Sequence, residues 1–200
     1  MLALRDALPL DERRRQDERI AALLLEGFTA LRGRTVGFYW PMKGEFDSRV
    51  AVLKLREAGS VTALPVVVRK AAPLEFREWW PGVETIPGVF DLPVPQSPAV
   101  VPDALLMPPV GFDEQGYRLG YGGGYFDRTL AARAPQPLKI GVARELSRIP
   151  TIHPQAFDIP MDFVITPEGI HHASKDGLRR VDPSEANALA DAILGFKPKR

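Results

Sequence analysis

The sequence predicts an α/β protein, a Rossmann-like three-layer sandwich around a mostly parallel central sheet. Two observations predict it. Short apolar runs, TVGFYW (35–40), VTALPVVV (61–68), ALLMPPV (104–110), LKIGVAR (138–144) and MDFVIT (161–166), alternate with stretches whose apolar residues recur at helical spacing. That alternation is what a parallel sheet covered on both faces requires. In addition, a glycine-rich segment, RLGYGGGYFDR (118–128), follows one of these strands after a short loop. In open α/β sheets, ligands sit beyond the carboxyl ends of the strands.

After Pro9, Asp11 is placed to cap a helix that carries Ile20, Leu23, Leu24, Phe28 and Leu31 on one face. Arg13, Arg14 and Arg15 lie on its wet side among Asp11, Glu12, Asp17 and Glu18, as a solvated face does. The first strand, rich in β-branched and aromatic residues, stops at Pro41. Asp47 or Ser48 opens the next helix, whose apolar face runs through Ala51, Leu55 and Ala58 and which Gly59 closes. A strand at 61–68 follows despite Pro65. From Ala71 to Pro102, prolines at 73, 81, 87, 93, 95, 98 and 102 break all periodicity. An irregular excursion from the sheet is expected there, with LEFREW (74–79) as a short strand and Trp79-Trp80 filling a small core of its own. Beyond the glycine-rich segment a helix runs through Phe126, Leu130 and Ala134 until Pro135. The last helix has an Asp182 cap, Pro183 in its first turn and Glu185 at the third position, and it ends at Gly195. The KPKR tail reads as a solvated terminus. With 200 residues and no internal repeat, one domain is expected.

Composition removes several functions. Twenty-six basic residues face twenty-five acidic ones, a net charge of +1, so no global field points to nucleic acid or a membrane surface, and any anion site is local. The absence of cysteine excludes disulfides, thiol catalysis and cysteine-based zinc sites. His153, His171 and His172 are too scattered for a zinc set. The opening MLALRDALPLDERRR lacks an apolar signal core, and no run approaches the roughly 20 apolar residues of a membrane span. A soluble, cytoplasmic, monomeric protein acting on a small molecule is the expectation.

The glycine-rich segment leaves two readings open, a structural turn or a cradle for an anion. Backbone N–H groups of such a turn at a helix start can converge on a phosphate. Arg118 and Arg128 can act as guanidinium forks, and Asp127 can offer a carboxylate oxygen to magnesium. Neither GxxxxGK[ST] nor a proper GxGxxG is present. Trp40 fits a core position as well as a ligand contact, Glu45 a helix cap, and Asp162 a turn before the last parallel strand.

At these residues the sequence resembles a family. DALLMPPVGFD (103–113) followed by RLGYGGGYFDR is similar to the signature of the 5-formyltetrahydrofolate cyclo-ligases, also called methenyltetrahydrofolate synthetases, roughly P-x-x-x-F-D-x-x-G-x-R-L-G-x-G-x-G-[YF]-Y-D. The resemblance extends to Ala3-Leu4-Arg5, to YWPMKGE (39–45) and to MDFVIT, about residues 1 to 170. It implies ATP- and magnesium-dependent closure of 5-formyltetrahydrofolate to 5,10-methenyltetrahydrofolate. The formyl oxygen is phosphorylated, N10 attacks the activated carbon, and phosphate leaves, so catalysis rests on positioning and charge neutralisation.

Residue by residue, the resemblance implies that Arg5, Arg118, Leu119, Gly120, Tyr121, Gly122, Gly123, Gly124, Tyr125 and Phe126 line the ATP phosphates. Trp40, Glu45 and Tyr121 to Tyr125 would contact the folate, Asp127 and Asp162 would hold magnesium, and Arg118, Tyr125 and Asp127 are the expected catalytic residues. The chain departs from the family at four places. The lysine of an N-terminal K-x-x-L-R falls on Met1, whose α-amino group is the nearest substitute charge. Phe126 stands where tyrosine is usual, Tyr121 and Gly123 where some members carry basic residues, and Phe157-Asp158 where a His-Asp pair is common. Two other classes share the local pattern: a sugar-phosphate isomerase or CoA-transferase-like enzyme, and a non-catalytic folate- or nucleotide-binding protein.

Overall fold

The computed structural model describes residues 2–195, so the Met1 substitution and the KPKR tail lie outside the described residues. The chain opens with α1 (Leu2–Asp6) and α2 (Leu10–Gly27), then β1 (Thr35–Gly37), α3 (Arg49–Glu57) and β2 (Val61–Val66). Next come β3 (Glu75–Glu78), the β4 (Thr85–Pro87) and β5 (Pro93–Pro95) hairpin, and β6 (Ala99–Val100). Then follow β7 (Ala104–Met107), a hairpin of β8 (Gly111–Phe112) and β9 (Arg118–Leu119), α4 (Tyr125–Ala131), β10 (Leu138–Val142) and β11 (Phe163–Thr166). The chain closes with β12 (Gly169–Ser174), β13 (Gly177–Val181) and α5 (Pro183–Leu194).

One nine-stranded sheet runs in the order β13-β12-β11-β10-β7-β1-β2-β3-β6. Its five central strands, from β11 to β2, are all parallel, and antiparallel strands finish both sides. Burial on both faces explains the unbroken apolar runs. In β7 every residue is buried: Ala104 and Leu106 face a core shared with α2, α3 and α5, while Leu105 and Met107 face a second core with Phe112 and Leu130. Hence α4 and the β8–β9 hairpin cover one face, and α2, α3 and α5 the other.

Ile20, Leu23, Leu24, Phe28 and Leu31 are all buried, as their spacing predicts. The cap does not fall on Asp11. Pro9 holds that position with no side-chain hydrogen bond, and Asp11 sits inside the first turn, paired with Arg15 at 3.1 Å, where a carboxylate still suits the positive end of the helix. Arg13 leaves the solvated face: its guanidinium donates to the Leu8 and Asp6 carbonyls at 2.9 and 2.6 Å and fastens α1 onto α2. β1 is shorter than its apolar run, although Phe38 N–H still donates to Ala63 O at 2.9 Å. In α3, Ala51 and Leu55 are buried but Ala58 is exposed at the helix end. Helix α4 stops at Ala131 and leaves Ala134 exposed outside it, since the residue before a proline is driven out of helical geometry.

In the proline-rich stretch LEFREW pairs as read, as β3 on β2, and the β4–β5 hairpin forms a separate sheet; the difference is β6, which returns to pair with β3 at the sheet edge, where prolines flank the short strands and few ladder donors are needed. Trp79 joins the main core, edge-on to Phe38 at 5.3 Å between ring centres. The β12–β13 hairpin was not anticipated, although Asp176-Gly177 at its turn is a hairpin signal. The last helix forms as read, with the Asp182 carboxylate accepting from Glu185 N–H at 2.9 Å.

Candidate active site

The loops beyond the carboxyl ends of β1, β7 and β10 meet over the sheet, and α1 closes the group from the side. Arg5, on a helix of only five residues, is 2% exposed. Its Nη2 donates to the Pro109 carbonyl and lies 3.4 Å from Ser147 Oγ, while Nε and Nη1 have no hydrogen-bond partner. A buried guanidinium left half unsatisfied is costly unless an anion completes it. Pro109 comes from the loop after β7 and Ser147 from the turn after β10, so the fold, not a local motif, assembles this cation.

The loop after β1 supplies the opposite charge. Lys43 (φ 46°) and Gly44 (φ 68°) take left-handed backbone conformations that reverse the chain. A Cβ on Gly44 would lie 3.3 Å from Arg5 Cβ, so glycine also permits that close approach. The turn places Glu45, 8% exposed, with Oε2 accepting from Met42 N–H at 3.0 Å and Oε1 accepting from the Tyr121 hydroxyl at 2.8 Å. Burial raises the Glu45 carboxyl above its ordinary value against the pull of these donors and of Arg5 and Lys43. Tyr121 is pushed up as well, by burial first and by Glu45 second. Glu45 therefore caps no helix; it is a carboxylate aimed at the glycine-rich segment.

Arg144, 2% exposed, locks this loop in place. It donates through Nε to Gly44 O at 3.1 Å, through Nη1 to Gln16 at 3.1 Å, and through Nη2 to Asp17 at 2.9 Å. Tyr39 donates to Phe46 O at 2.9 Å beneath. Arg144 and Ser147 were not singled out, since no periodicity or motif distinguishes a loop residue that only a distant strand brings into place, and Tyr39 and Lys43 lay inside YWPMKGE with no role attached to them. Trp40 is half-buried at the rim, stacked under Arg49 at 5.0 Å and edge-on to Trp79 at 6.2 Å.

Gly120 to Gly124 are exposed, with Tyr121, half-exposed, at their tip. Leu119 is held by β8: its carbonyl accepts from Val110 N–H at 2.8 Å. Gly124 (φ 59°) turns the segment into α4, and Tyr125 lies over Gly123, where a Cβ would fall 2.7 Å from its ring. Arg128 folds back to the Gly123 carbonyl and stacks on Tyr125 at 5.3 Å. Phe126 packs on the second core beneath Arg118 at 5.9 Å, an apolar surrounding in which a phenol hydroxyl has little to bond. At the far end, Gly124, Asp127, Arg128, Ala131 and Phe157 line an open cavity of about 250 Å³.

Two expected residues behave differently. Arg118 lies under the segment, not on its exposed face. It donates to Ile159 O at 2.6 Å and to Asp127 Oδ1 at 2.7 Å, and burial lowers it against the pull of Asp127. Its charge is already matched, which makes it a clamp for the start of α4. Asp127 Oδ1 also accepts from Ile159 N–H at 3.1 Å. Asp162 stands apart. It precedes β11 at the amino ends of the parallel strands, where it accepts from Lys139 N–H at 2.8 Å and pairs with Lys139 Nζ at 3.0 Å. Glu45 and Trp40 follow the carboxyl end of β1, at the opposite end of the sheet. Among the described residues no group of three metal-ligating side chains occurs.

Exposed glycines, a buried arginine with two unpartnered nitrogens and a buried carboxylate gather at the carboxyl ends of a parallel sheet, where α/β enzymes bind their ligands. The family model for the 5-formyltetrahydrofolate cyclo-ligase family matches residues 1–167. The chain belongs to that family. It is 34% identical over 147 residues to the 5-formyltetrahydrofolate cyclo-ligase of Mycolicibacterium smegmatis, spanning 69% of this chain and 76% of that protein. With the enzyme of the same name from Escherichia coli K12 it shares 29% over 176 residues, 83% of this chain and 96% of that one. The solved structure of Aquifex aeolicus 5,10-methenyltetrahydrofolate synthetase superposes with a TM-score of 0.74 at 29% identity, over 90% of this chain and 92% of that one. The Mycoplasma pneumoniae 5,10-methenyltetrahydrofolate synthetase, at 24% identity and a TM-score of 0.68 over 83% and 93% of the two chains, shares the fold.

Proposed function

We propose that this chain converts 5-formyltetrahydrofolate and ATP to 5,10-methenyltetrahydrofolate, ADP and phosphate, as a cytoplasmic monomer. The observation that carries the reading is the buried Arg5 guanidinium, two of whose nitrogens lack partners, packed against Gly44 next to Glu45, which Tyr121 of the glycine-rich segment contacts. Arg5 and the Gly120–Gly124 backbone receive the phosphates. Glu45 accepts hydrogen bonds from the amino and N–H groups of the pterin ring, with Trp40 at its rim. Arg118 holds Asp127 and the start of α4 so that the segment keeps its shape, and Tyr125 buttresses Gly123. These residues position the formyl oxygen against the terminal phosphate and keep water from it. When bound, magnesium neutralises charge on the phosphate oxygens. It is commonly held by one or two carboxylates together with substrate phosphates, which Asp127 fits and Asp162, at the far end of the sheet, does not.

Appearance of methenyltetrahydrofolate absorbance from 5-formyltetrahydrofolate, strictly dependent on ATP and magnesium, tests the reading. Folate binding without turnover would instead identify a non-catalytic relative. Light scattering on the purified protein checks the monomer.

A further inference from the structure

We infer that the groove between α4 and the loop at 155–159 takes the nucleoside end of ATP, with Phe157 stacking on the base and Arg128 meeting the phosphate nearest the sugar. This rests on the function proposed above and adds to it a subsite at the Gly124 end of the glycine-rich segment.

The direction of the nucleotide follows from the chemistry. The terminal phosphate is the one transferred, so it must lie against the folate, at the end of the segment where the Tyr121 hydroxyl donates to Glu45 at 2.8 Å. The nucleoside then leaves at the other end, which is Gly124. Gly124 is also the first wall of the open cavity of about 250 Å³, followed by Asp127, Arg128 and Ala131 at helical spacing along one face of α4, with Phe157 opposite. A cavity of that size falls below the roughly 300–1,000 Å³ of a whole small-molecule site. It receives one part of a ligand whose remainder lies on the adjoining glycines.

Its side chains suit that part. Of the arginines that bracket the segment, Arg118 is buried and paired with Asp127 at 2.7 Å, whereas Arg128 makes no ion pair among the described residues. Arg128 Nη2 donates to the Gly123 carbonyl, and Nη1 stands over Gly124, 3.0 Å from where a Cβ would be, with no hydrogen bond among the described residues. A phosphate leaving Gly124 meets that free guanidinium edge. Phe157 is 72% exposed, yet the loop that carries it is pinned. Asp158 Oδ2 accepts from Gln155 N–H at 2.7 Å, Ile159 N–H donates to Asp127 Oδ1 at 3.1 Å, and the Ile159 carbonyl accepts from Arg118 at 2.6 Å. The neighbouring rings are already engaged, Tyr125 under Arg128 and Phe126 in the second core. A ring held in place with its face open is what a base stacks on.

The test measures dissociation constants of a non-hydrolysable ATP analogue with magnesium, of inorganic triphosphate and of 5-formyltetrahydrofolate. Phe157→Ala removes the stacking face and should weaken the ATP analogue about tenfold, with inorganic triphosphate and the folate unchanged. Phe157→Trp should restore the wild-type affinity. Arg128→Met should weaken the ATP analogue about tenfold and inorganic triphosphate with it, again sparing the folate. An ATP analogue bound as tightly by either Phe157→Ala or Arg128→Met as by the wild type overturns the assignment. Weakened folate binding in Phe157→Ala overturns it too, because the cavity would then belong to the folate. Wild-type protein that does not bind the ATP analogue overturns the proposed function itself, so the two failures are told apart.

Discussion

Glu45 keeps 8% of its surface in water and accepts hydrogen bonds from Met42 N–H and the Tyr121 hydroxyl. Burial nevertheless prevails, and its carboxyl titrates above the ordinary value. The hydrogen bond from Tyr121 works against that rise, so Tyr121→Phe should move the Glu45 titration further up, as read by carboxyl ¹³C chemical shifts across pH. The sign for stability follows from linkage. A group whose pKa is higher folded than unfolded stabilises the fold below its unfolded pKa, and that contribution is lost as pH rises through the folded value. Tyr121→Phe should therefore lose stability over a wider span on the alkaline side, visible in urea unfolding at stepped pH. Arg5 makes the second prediction at this scale. Arg5→Met should weaken ATP-analogue binding at least tenfold in calorimetry, because a charge-assisted contact to phosphate is lost, while folate binding weakens far less. Neither behaviour is legible from the residues alone. Sequence names Arg5 and Glu45 through a resemblance, but only packing says that one is short of an anion and the other short of water.

The elements around the site are short, and side chains from elsewhere hold them. Arg144 leaves β10 and binds Gly44 O, Gln16 and Asp17, joining the loop after β1 to α2. Burial raises the Asp17 carboxyl and Arg144 pulls it back down. Arg144→Met should cost about 2–3 kcal/mol in denaturant unfolding, less than a fully buried pair because Asp17 keeps a quarter of its side chain in water. The same change should raise the KM for the folate by loosening the Glu45 loop. At the glycine-rich segment, Gly124→Ala should cost about 1 kcal/mol for its left-handed backbone. The new Cβ would also lie 3.0 Å from Arg128 Nη1, which would have to shift. A lower melting temperature with reduced kcat is the expected outcome. The helices α2, α3 and α5 were legible because their apolar spacing is regular. In the proline-rich stretch only β3, within LEFREW, was legible; β4, β5 and β6 were not, since edge strands tolerate the residues that signal irregularity.

Across the whole molecule the polarity of the parallel sheet separates two aspartates that a motif treats alike. Asp127 lies in the first turn of α4 beneath the glycine-rich segment, and Asp162 joins Lys139 at the amino ends of β10 and β11. Asp127→Asn should therefore weaken the dependence of turnover on magnesium. Asp162→Asn should lower stability by about 1–2 kcal/mol and leave the magnesium titration of the activity unshifted.

The sequence by itself determined the layered α/β class, the place of the glycine-rich segment after a central strand, and the family, because hydrophobic period and motif order are local properties carried by contiguous residues. Tertiary structure alone decided that Arg118 is a buried clamp, that Arg5 is left wanting an anion, that Tyr121 rests on Glu45, and that Asp162 sits at the wrong end of the sheet to join them. Each of those facts depends on which distant residues come into contact and how much water they exclude. Burial and partnership are properties of the folded chain, and no local pattern encodes them.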